Sequence, residues 1–426
     1  MIGVFVAALM IGTLLTSYLA ERMGRLNILR WCIGLSSVSE FFILGSGDQY
    51  YFIIFLFLLS VPLPGTFLCS LSYMCEITSG YIRKIAITFL FVCAILGYLP
   101  SYYLIYTIKS WRPIVLASLS SGVLCLIFTF FLVESPRYLG INGGRYSKAR
   151  LAFEYIAKIN KVTMFEEHLQ GEILNEYSET IRKRQQLDLS GLDNSELPDF
   201  SEQRDNQAAP YEYLGGAINA VDREKDLDRG QNYNFLDLFR EDFRRVSLTL
   251  TLTWTIISAT TYSFTHSGTI HPKDYTNCGL LVLVSIFGAF FSCILSYWIR
   301  TKRLLIIFLL FSGVFTIIQG SLILSNHHLQ AVYTIGLFFI SGVNLVTFEY
   351  TLELNPTPIR CICLGFVQFW AIIGMIVGYF IITQNSLFIL VFGVLTTLLT
   401  VLMIKMPETG NLPLNDFTSW NRLVSN

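Results

Sequence analysis

The chain has 426 residues and no net formal charge, with 53% hydrophobic and only 14% charged residues. A soluble protein usually carries about 25% charged residues, so this composition excludes an ordinary soluble domain. The neutral balance gives no sign of a nucleic-acid partner. More than half of the charge lies between Gly140 and Arg245, which leaves long flanking stretches that suit lipid as their solvent.

Eleven apolar stretches are each long enough to cross a bilayer. The hydrocarbon core needs about 20 apolar residues per helix, and a segment facing lipid must pair its backbone groups internally, which favours helix. The predicted spans are residues 2–19, 28–46, 51–72, 85–107, 113–133, 246–265, 277–298, 303–325, 330–350, 362–383 and 386–404. The expected fold is an all-α membrane protein with eleven transmembrane helices.

The basic residues of the short loops predict the orientation, because cytoplasmic loops carry an excess of Lys and Arg. One side collects Arg22, Arg25, Arg30, Arg83, Lys84, Arg300, Lys302, Arg303 and Arg360. The other side has only Lys109, Arg112 and Lys273. We therefore expect the N-terminus outside and the C-terminus inside.

Five spans precede the long polar segment and six follow it, which indicates two half-bundles. The expected domains are an N-terminal half-bundle (1–139), a cytoplasmic linker (140–245), a C-terminal half-bundle (246–405) and a cytoplasmic tail (406–426). The linker begins with helical periodicity, whereas residues 185–232 are polar, acidic and poor in aromatics. Such a composition is typical of disorder, and this part is expected to be dispensable.

An internal repeat supports the two halves. Adding 277 to the numbers of Tyr73, Glu76 and Arg83 gives Tyr350, Glu353 and Arg360. Further along, Glu134-Ser-Pro follows the first copy and Pro407-Glu408-Thr follows the second at nearly the same distance. Parallel repeats of this kind are a transporter architecture with the solute site between the halves.

At these residues the chain resembles the major facilitator superfamily, most closely its organic cation/anion transporter branch. The stretches that carry the resemblance are Gly12–Arg25, Glu134–Leu139, Gly144–Ala149, Phe235–Arg240, Glu353–Arg360 and Pro407–Thr409. Two residues depart from the family's first signature, Glu21 where Asp is usual and Leu26 where Arg is usual. The resemblance implies two pseudo-symmetric halves, alternating access to a small organic solute, and a plasma-membrane location.

Other departures limit what the resemblance implies. By this alignment the first family helix is absent, and we expect it to precede Met1. The position that carries Asp in cation transporters and Arg in anion transporters falls at or near Ile372. The charge of the solute and any coupling ion are therefore left open.

Charged residues at the predicted cytoplasmic helix ends are candidates for a salt-bridge gate. They are Glu21, Arg25, Glu76, Arg83, Glu134 and Arg137 in the first half, and Arg303, Glu353, Arg360 and Glu408 in the second. Bridges that form in one state and break in another can bias a conformational equilibrium. The alternative is ordinary interfacial charge, which explains the arginines but not five acids at matched helix ends.

Polar and aromatic residues within the predicted spans are candidates for the solute cavity. They are Trp254, Asn344, Glu349, Gln368 and Trp370, and for each the alternative is packing or interhelical hydrogen bonding. Glu40 also lies within a span, where an ionisable residue is a functional candidate. A partner within the bundle, or reaching outward to the interface, is the simpler interpretation of Glu40.

The sequence favours a transporter over two alternatives. A transporter-like membrane protein without transport activity agrees with the absent first helix and with Ile372. A membrane enzyme is the least favoured, because we find no nucleophile elbow, phosphate loop or HExxH motif. The nine cysteines form no CxxC pair and no Cys/His cluster with zinc spacing, so no catalytic residue, metal site or cofactor is predicted.

Overall fold

The computed structural model describes residues 2–97, 99–100, 110–141, 146–160, 233–268, 275–325, 329–384 and 387–409. The predictions for the linker at 185–232 and for the end of the tail lie outside these residues. The chain divides into two compact units, Met1–Gly143 with Tyr233–Asn426, and Gly144–Asn232. The expected boundaries within the bundle stay a prediction.

The described residues are helical almost throughout, with no strand among them. The helices of the first unit are α1 (Ile2–Met23), α2 (Arg25–Leu44), α3 (Gln49–Ser60), α4 (Leu63–Ile77), α5 (Gly80–Leu96), α6 (Arg112–Thr129), α7 (Pro136–Ile141), α9 (Glu241–Gly268), α10 (Tyr275–Trp298), α11 (Thr301–Leu324), α12 (Gln330–Leu354), α13 (Arg360–Gln384) and α14 (Leu387–Ile404). Short 3₁₀ helices at Phe235–Phe239 and Thr357–Ile359 precede α9 and α13. The second unit contributes α8 (Tyr146–Ile159).

Nine stretches of the described chain are long and apolar enough to cross a membrane, all at predicted positions. The predicted spans 85–107 and 246–265 coincide with α5 and α9, which are helical but not among those nine. The all-helical class is confirmed, and the count of eleven stays a prediction.

The predicted span 51–72 is a broken helix, α3 followed by α4. Pro62 lies at the break, where its missing N–H and fixed φ are tolerated. The backbone at the break lies so close to α1 that a Cβ at Gly12 would overlap the carbonyl oxygen of Val61. A glycine at this crossing lets α1 pack directly against the kink.

Several helices continue past their apolar stretches. α1 runs to Met23, α4 to Ile77 and α12 to Leu354, each beyond its predicted end. The acids Glu21, Glu76 and Glu353 therefore lie in the last helical turns of these helices. Their side chains project between neighbouring helices from there.

The two halves meet along equivalent helices. α1 packs against α13, and α5 packs against α10, so the same contact occurs twice in the repeat. An aromatic cluster joins the halves, with Phe348 at 5.4 Å from Phe67, 6.2 Å from Phe91 and 4.5 Å from Trp254 between ring centroids. The core is therefore shared by both halves.

Large apolar side chains cover the outer faces of the helices. Phe89 on α5 is 62% exposed, Phe128 on α6 is 67% exposed and Phe287 on α10 is 66% exposed. Exposed apolar surface of this extent is rare on soluble monomers. Lipid is the solvent that these faces fit.

Candidate functional site

At one end of the bundle, charged residues from both halves are buried between the helix ends. Glu21 lies in the last turn of α1 and Glu76 in the last turn of α4, while Arg25 begins α2 and Arg360 begins α13. All four are less than a tenth exposed. We call these four residues the charge network.

A tight turn between α1 and α2 places the first basic residue of the network. Gly24 has a φ of 105°, and a Cβ there would overlap the carboxylate of Glu134. Glycine adopts this backbone conformation without the steric cost that other residues meet. The turn lets α2 begin at once, so that Arg25 points back between the helices.

Arg25 is completely buried and makes contacts with all three nitrogens of its guanidinium. Its Nε donates to Glu76 Oε1 at 2.9 Å, and its Nη2 donates to Glu21 Oε1 at 2.7 Å and to the carbonyl oxygen of Thr357 at 3.0 Å. Its Nη1 donates to the carbonyl oxygen of Ala20 at 3.5 Å. The ring of Tyr138 lies 4.4 Å from its guanidinium carbon. Arg25 thus contacts α4 in its own half and the 3₁₀ turn of the other half.

Glu76 accepts from two arginines through one oxygen. Arg360 Nη1 lies 3.4 Å from the same Glu76 Oε1 that Arg25 contacts. Arg360 also donates from Nε to the carbonyl oxygen of Leu352 at 3.1 Å. A second bond between the halves runs from the backbone N–H of Cys361 to Glu21 Oε2 at 3.1 Å.

The charge network is not fully satisfied. Glu76 Oε2 and Arg360 Nη2 are both buried, and within the described residues neither has a hydrogen-bond partner. A buried polar group without a partner costs about 1–3 kcal/mol, and more when it is charged. This contact between the halves is therefore weaker than its burial suggests.

Glu134 supports the network from the segment after α6. Its two oxygens accept from the backbone N–H of Leu26 at 3.2 and 3.1 Å, which caps the positive end of α2. Burial raises the pKa of the Glu134 carboxyl above its ordinary value, against the opposing effect of these hydrogen bonds and of Arg25.

The repeat found in the sequence is also a repeat of contacts. The hydroxyl of Tyr73 donates to the carbonyl oxygen of Val133 at 2.7 Å, and that of Tyr350 donates to Pro407 at 2.8 Å. Glu134 accepts from the first turn of α2, and Glu408 likewise accepts from the backbone N–H of Lys302 in α11 at 3.2 Å. In each half, the segment that follows the last helix therefore forms hydrogen bonds with equivalent helices.

Among the described residues, no ion pair of Glu353 matches those of Glu76. Glu353 Oε2 accepts from the hydroxyls of Thr301 at 3.1 Å and Thr409 at 2.9 Å, and Thr301 begins α11 as Arg25 begins α2. Arg83 donates from Nε to the carbonyl oxygen of Thr78 at 3.3 Å and forms no ion pair with Glu353. The predicted gate thus contains a buried ion-pair network on one side, whereas on the other side Glu353 is bound by hydroxyl groups.

The remaining gate candidates lie around this core. Arg137 and Glu408 are partly buried, and Arg303 is exposed. The sequence did not point to Tyr138, Thr357 or Thr301 as partners. The repeat spacing of 277 takes Arg25 to Lys302, the residue next to Thr301.

Two of the cavity candidates are satisfied within the bundle. Trp254 Nε1 donates to Thr351 at 3.1 Å. Asn344 donates from Nδ2 to Thr261 and to the carbonyl oxygen of Ile340, each at 3.0 Å. These contacts agree with the packing alternative for both residues.

The other three candidates have buried polar atoms without partners among the described residues. These atoms are Gln368 Nε2, Trp370 Nε1 and both carboxylate oxygens of Glu349. No hydrogen bond joins any two of the five cavity candidates in the described chain. Glu40, by contrast, accepts from Ser118 Oγ at 2.6 Å, as the simpler interpretation expects.

Comparison with known proteins agrees with this geometry. The family model described as Major Facilitator Superfamily matches residues 1–355. The chain belongs to the Major Facilitator Superfamily. It is accordingly a multi-pass membrane protein, and not an enzyme.

The chain is similar to organic-ion transporters of mammals. It is 24% identical to human organic cation/carnitine transporter 2, over 97% of this chain and 67% of that protein. It is 25% identical to mouse organic anion transporter 3, over 98% of this chain and 72% of that protein. The chain thus spans about two thirds of the length of these relatives.

Solved structures support the fold. The proton:xylose symporter XylE bound to 6-bromo-6-deoxy-D-glucose superimposes with a TM-score of 0.70 at 15% identity, covering 97% of this chain and 86% of that one. The partially occluded inward-open form of XylE from E. coli gives 0.58 at 14% identity, covering 97% and 88%.

Proposed function

We propose that this protein carries small organic solutes across a membrane by alternating access between its two halves. The observation that carries the proposal is the charge network, in which Arg25 and Arg360, one from each half, meet on one oxygen of Glu76. A protein with only a scaffolding role has no need for a buried, incompletely satisfied ion pair at the interface of a duplicated bundle.

The charge network acts as a latch at the cytoplasmic end. The excess of Lys and Arg in the loops at this end supports the orientation. When the latch is closed, the halves are joined at Glu76–Arg360 and Glu21–Cys361. Opening separates these pairs, and water then satisfies the freed groups. The unpartnered Glu76 Oε2 and Arg360 Nη2 reduce the cost of that separation.

The solute class is small organic ions, which the names of the relatives support. Those names include both a cation/carnitine transporter and an anion transporter. Ile372 stands near the position where those branches differ in charge, so the sign of the solute must be measured. The unpartnered donors of Gln368 and Trp370 on α13 are our candidates for direct contact with it.

The test is uptake into liposomes that contain the purified full chain. Labelled carnitine, tetraethylammonium and para-aminohippurate cover a zwitterion, a cation and an anion. We expect saturable uptake of at least one, accelerated when the liposomes are preloaded with the same unlabelled solute. Preloading distinguishes a carrier from a pore, because a carrier returns faster when loaded.

The variant Gln368→Ala tests whether this side chain contacts the solute. We expect it to raise the KM of the transported compound while the folded protein keeps its thermal stability. If correctly inserted protein transports none of a broad set of organic ions, the non-transporting alternative holds instead.

A further inference from the structure

Glu349 is a buried acid that the charge network does not use. It lies on α12, one turn before Glu353, and its side chain is 1% exposed. Both carboxylate oxygens are buried, and within the described residues neither accepts a hydrogen bond. An unpaired carboxylate anion in such a place costs several kcal/mol, so this packing suits the neutral acid.

The repeat shows what this position holds in the other half. Subtracting 277 from Glu349 gives Ser72 on α4, and adding 277 to Lys84 on α5 gives Cys361 on α13. The Sγ of Cys361 lies 3.1 Å from the Ser72 hydroxyl. One interface between the halves thus has a neutral hydrogen-bonded pair where the equivalent interface has an acid and a base.

Lys84 is close enough to influence Glu349 but does not pair with it. Its side chain is buried, and its Nζ donates to the carbonyl oxygen of Ser296 on α10 at 3.1 Å. The ammonium of Lys84 acts electrostatically on Glu349, yet the two side chains form no ion pair in this conformation. An ammonium has three donors, and the backbone bond to Ser296 leaves two for another acceptor.

Few other ionisable groups act on this acid. Glu353 is its neighbour on α12, and Tyr81 on α5 and Cys293 on α10 also interact with it. These neighbours are neutral or negatively charged, so among the described residues Lys84 is the cation that acts on Glu349. The charges that α4 and α13 bring toward α12 are Glu76 and Arg360, and these pair with each other.

We propose that Glu349 is a proton-binding site whose occupancy is coupled to opening of the bundle. In the packed conformation the acid is protonated. When α5 and α12 separate, the O–H bond of Glu349 breaks and the proton passes to water at the open end. The electron pair stays on the carboxylate, and the ammonium of Lys84 then neutralises it.

This inference rests on the proposed function, because it requires that the two halves move apart. It adds a proton as the ligand and Lys84 as the group that replaces it. The coupling is reciprocal, since a proton that favours the packed state must also bind more tightly to that state. Low pH therefore favours the packed conformation, and high pH favours the open one.

The test measures conformation without any solute. Spin labels replace Ile82 on α5 and Ile404 on α14, which are 65% and 59% exposed and belong to different halves. The labelled full chain in nanodiscs is titrated from about pH 5 to pH 9. We expect two distance populations whose ratio changes with pH, by up to about tenfold per unit, the limit for one proton.

Two variants and one control identify the group responsible. Glu349→Gln should keep the short distance at every pH, and Glu349→Ser, which copies Ser72, should do the same. Glu40→Gln is the matched control, because Glu40 is a buried carboxyl bonded to Ser118 elsewhere. It should keep the wild-type titration.

The outcomes separate this inference from the proposed function. A titration that survives in both Glu349 variants, or a wild-type protein whose distances do not depend on pH, would overturn the proton site. Distances that change when potassium replaces sodium at fixed pH would also overturn it, because the site would then bind a metal cation and not a proton. The uptake assay reports on transport independently, since a solute carrier without pH-dependent distances loses only the proton site.

Discussion

Arg360 Nη1 lies 3.4 Å from Glu76 Oε1, and this contact joins α13 of the second half to α4 of the first. The pair is buried on both sides, with no exposed side-chain surface on either residue. An exposed ion pair contributes at most about 1 kcal/mol, whereas removal of one partner from a buried pair costs about 3–5 kcal/mol. This contact can therefore control how the halves separate.

Glu76→Gln should open the bundle at the charged end. The amide leaves Arg360 without its ion-pair partner, while Arg25 keeps Glu21. The packed state then loses on the order of 3–5 kcal/mol. Cys361 is a native reporter because it is 2% exposed and lies beside the network. We expect a membrane-impermeant maleimide to modify Cys361 at least tenfold faster in this variant, in a background without the other cysteines.

Arg22→Gln is the control for a role in topology alone. Arg22 lies in the last turn of α1, as Glu21 does, but its side chain is exposed. Its loss removes an exposed charge, opposite in sign to that of Glu76, from the α1–α2 turn without touching Glu76. Cys361 should react as slowly as in the wild type. Equal acceleration in both variants would mean that loop charge, and not the latch, controls access.

Glu353→Gln should have a much smaller effect than the equivalent change at Glu76. The partners of Glu353 are the hydroxyls of Thr301 and Thr409, and an amide oxygen accepts from hydroxyls as well. A hydrogen bond between neutral groups contributes about 0.5–1.5 kcal/mol. Modification of Cys361 should change by less than about tenfold. Matching effects of the two variants would contradict the asymmetry of the latch.

Much of this architecture could be predicted because a segment that crosses lipid must be apolar and helical over its whole length. Apolar stretches of spanning length identify helices directly, and the repeat at Tyr73 and Tyr350 gave the two halves without a template. These tyrosines donate equivalent hydrogen bonds to the carbonyl oxygens of Val133 and Pro407, so the sequence repeat corresponds to a repeat of contacts.

The helix ends and the asymmetry of the latch could not be predicted. Hydropathy alone predicts that a span ends where charged residues begin. The helix α4 nevertheless continues through Glu76, because Arg25 and Arg360 neutralise the charge of Glu76 inside the bundle. The sequence identified Glu353 and Arg83 as gate candidates but not their partners. The actual partners of Glu353, Thr301 and Thr409, come from segments whose approach depends on the packing of three helices.

Glu134→Gln should change how stability depends on pH. Burial raises the pKa of Glu134 in the folded protein, so the folded state holds this proton more tightly than the unfolded state does. The resulting stabilisation is complete below the ordinary value of 4.5 and is lost as the pH rises through the raised value. The wild type should therefore lose thermal stability relative to the variant over that range. Parallel melting curves in detergent across this range would contradict the shift.

Gly365→Ala should force α1 and α13 apart. A Cβ at Gly365 would overlap the hydroxyl oxygen of Ser17 and the carbonyl oxygen of Thr13, and a backbone carbonyl in a helix cannot move aside alone. Added volume in a packed interior typically costs about 1–3 kcal/mol, which should lower the melting temperature and weaken the bond from Cys361 to Glu21.

Gly279→Ala on α10 is the matched control, because a Cβ there meets nothing within 4 Å. Alanine also raises helix propensity by about 1 kcal/mol, so the control should be neutral or stabilising. A stabilised Gly365→Ala protein would show that the two halves are not in contact at this crossing.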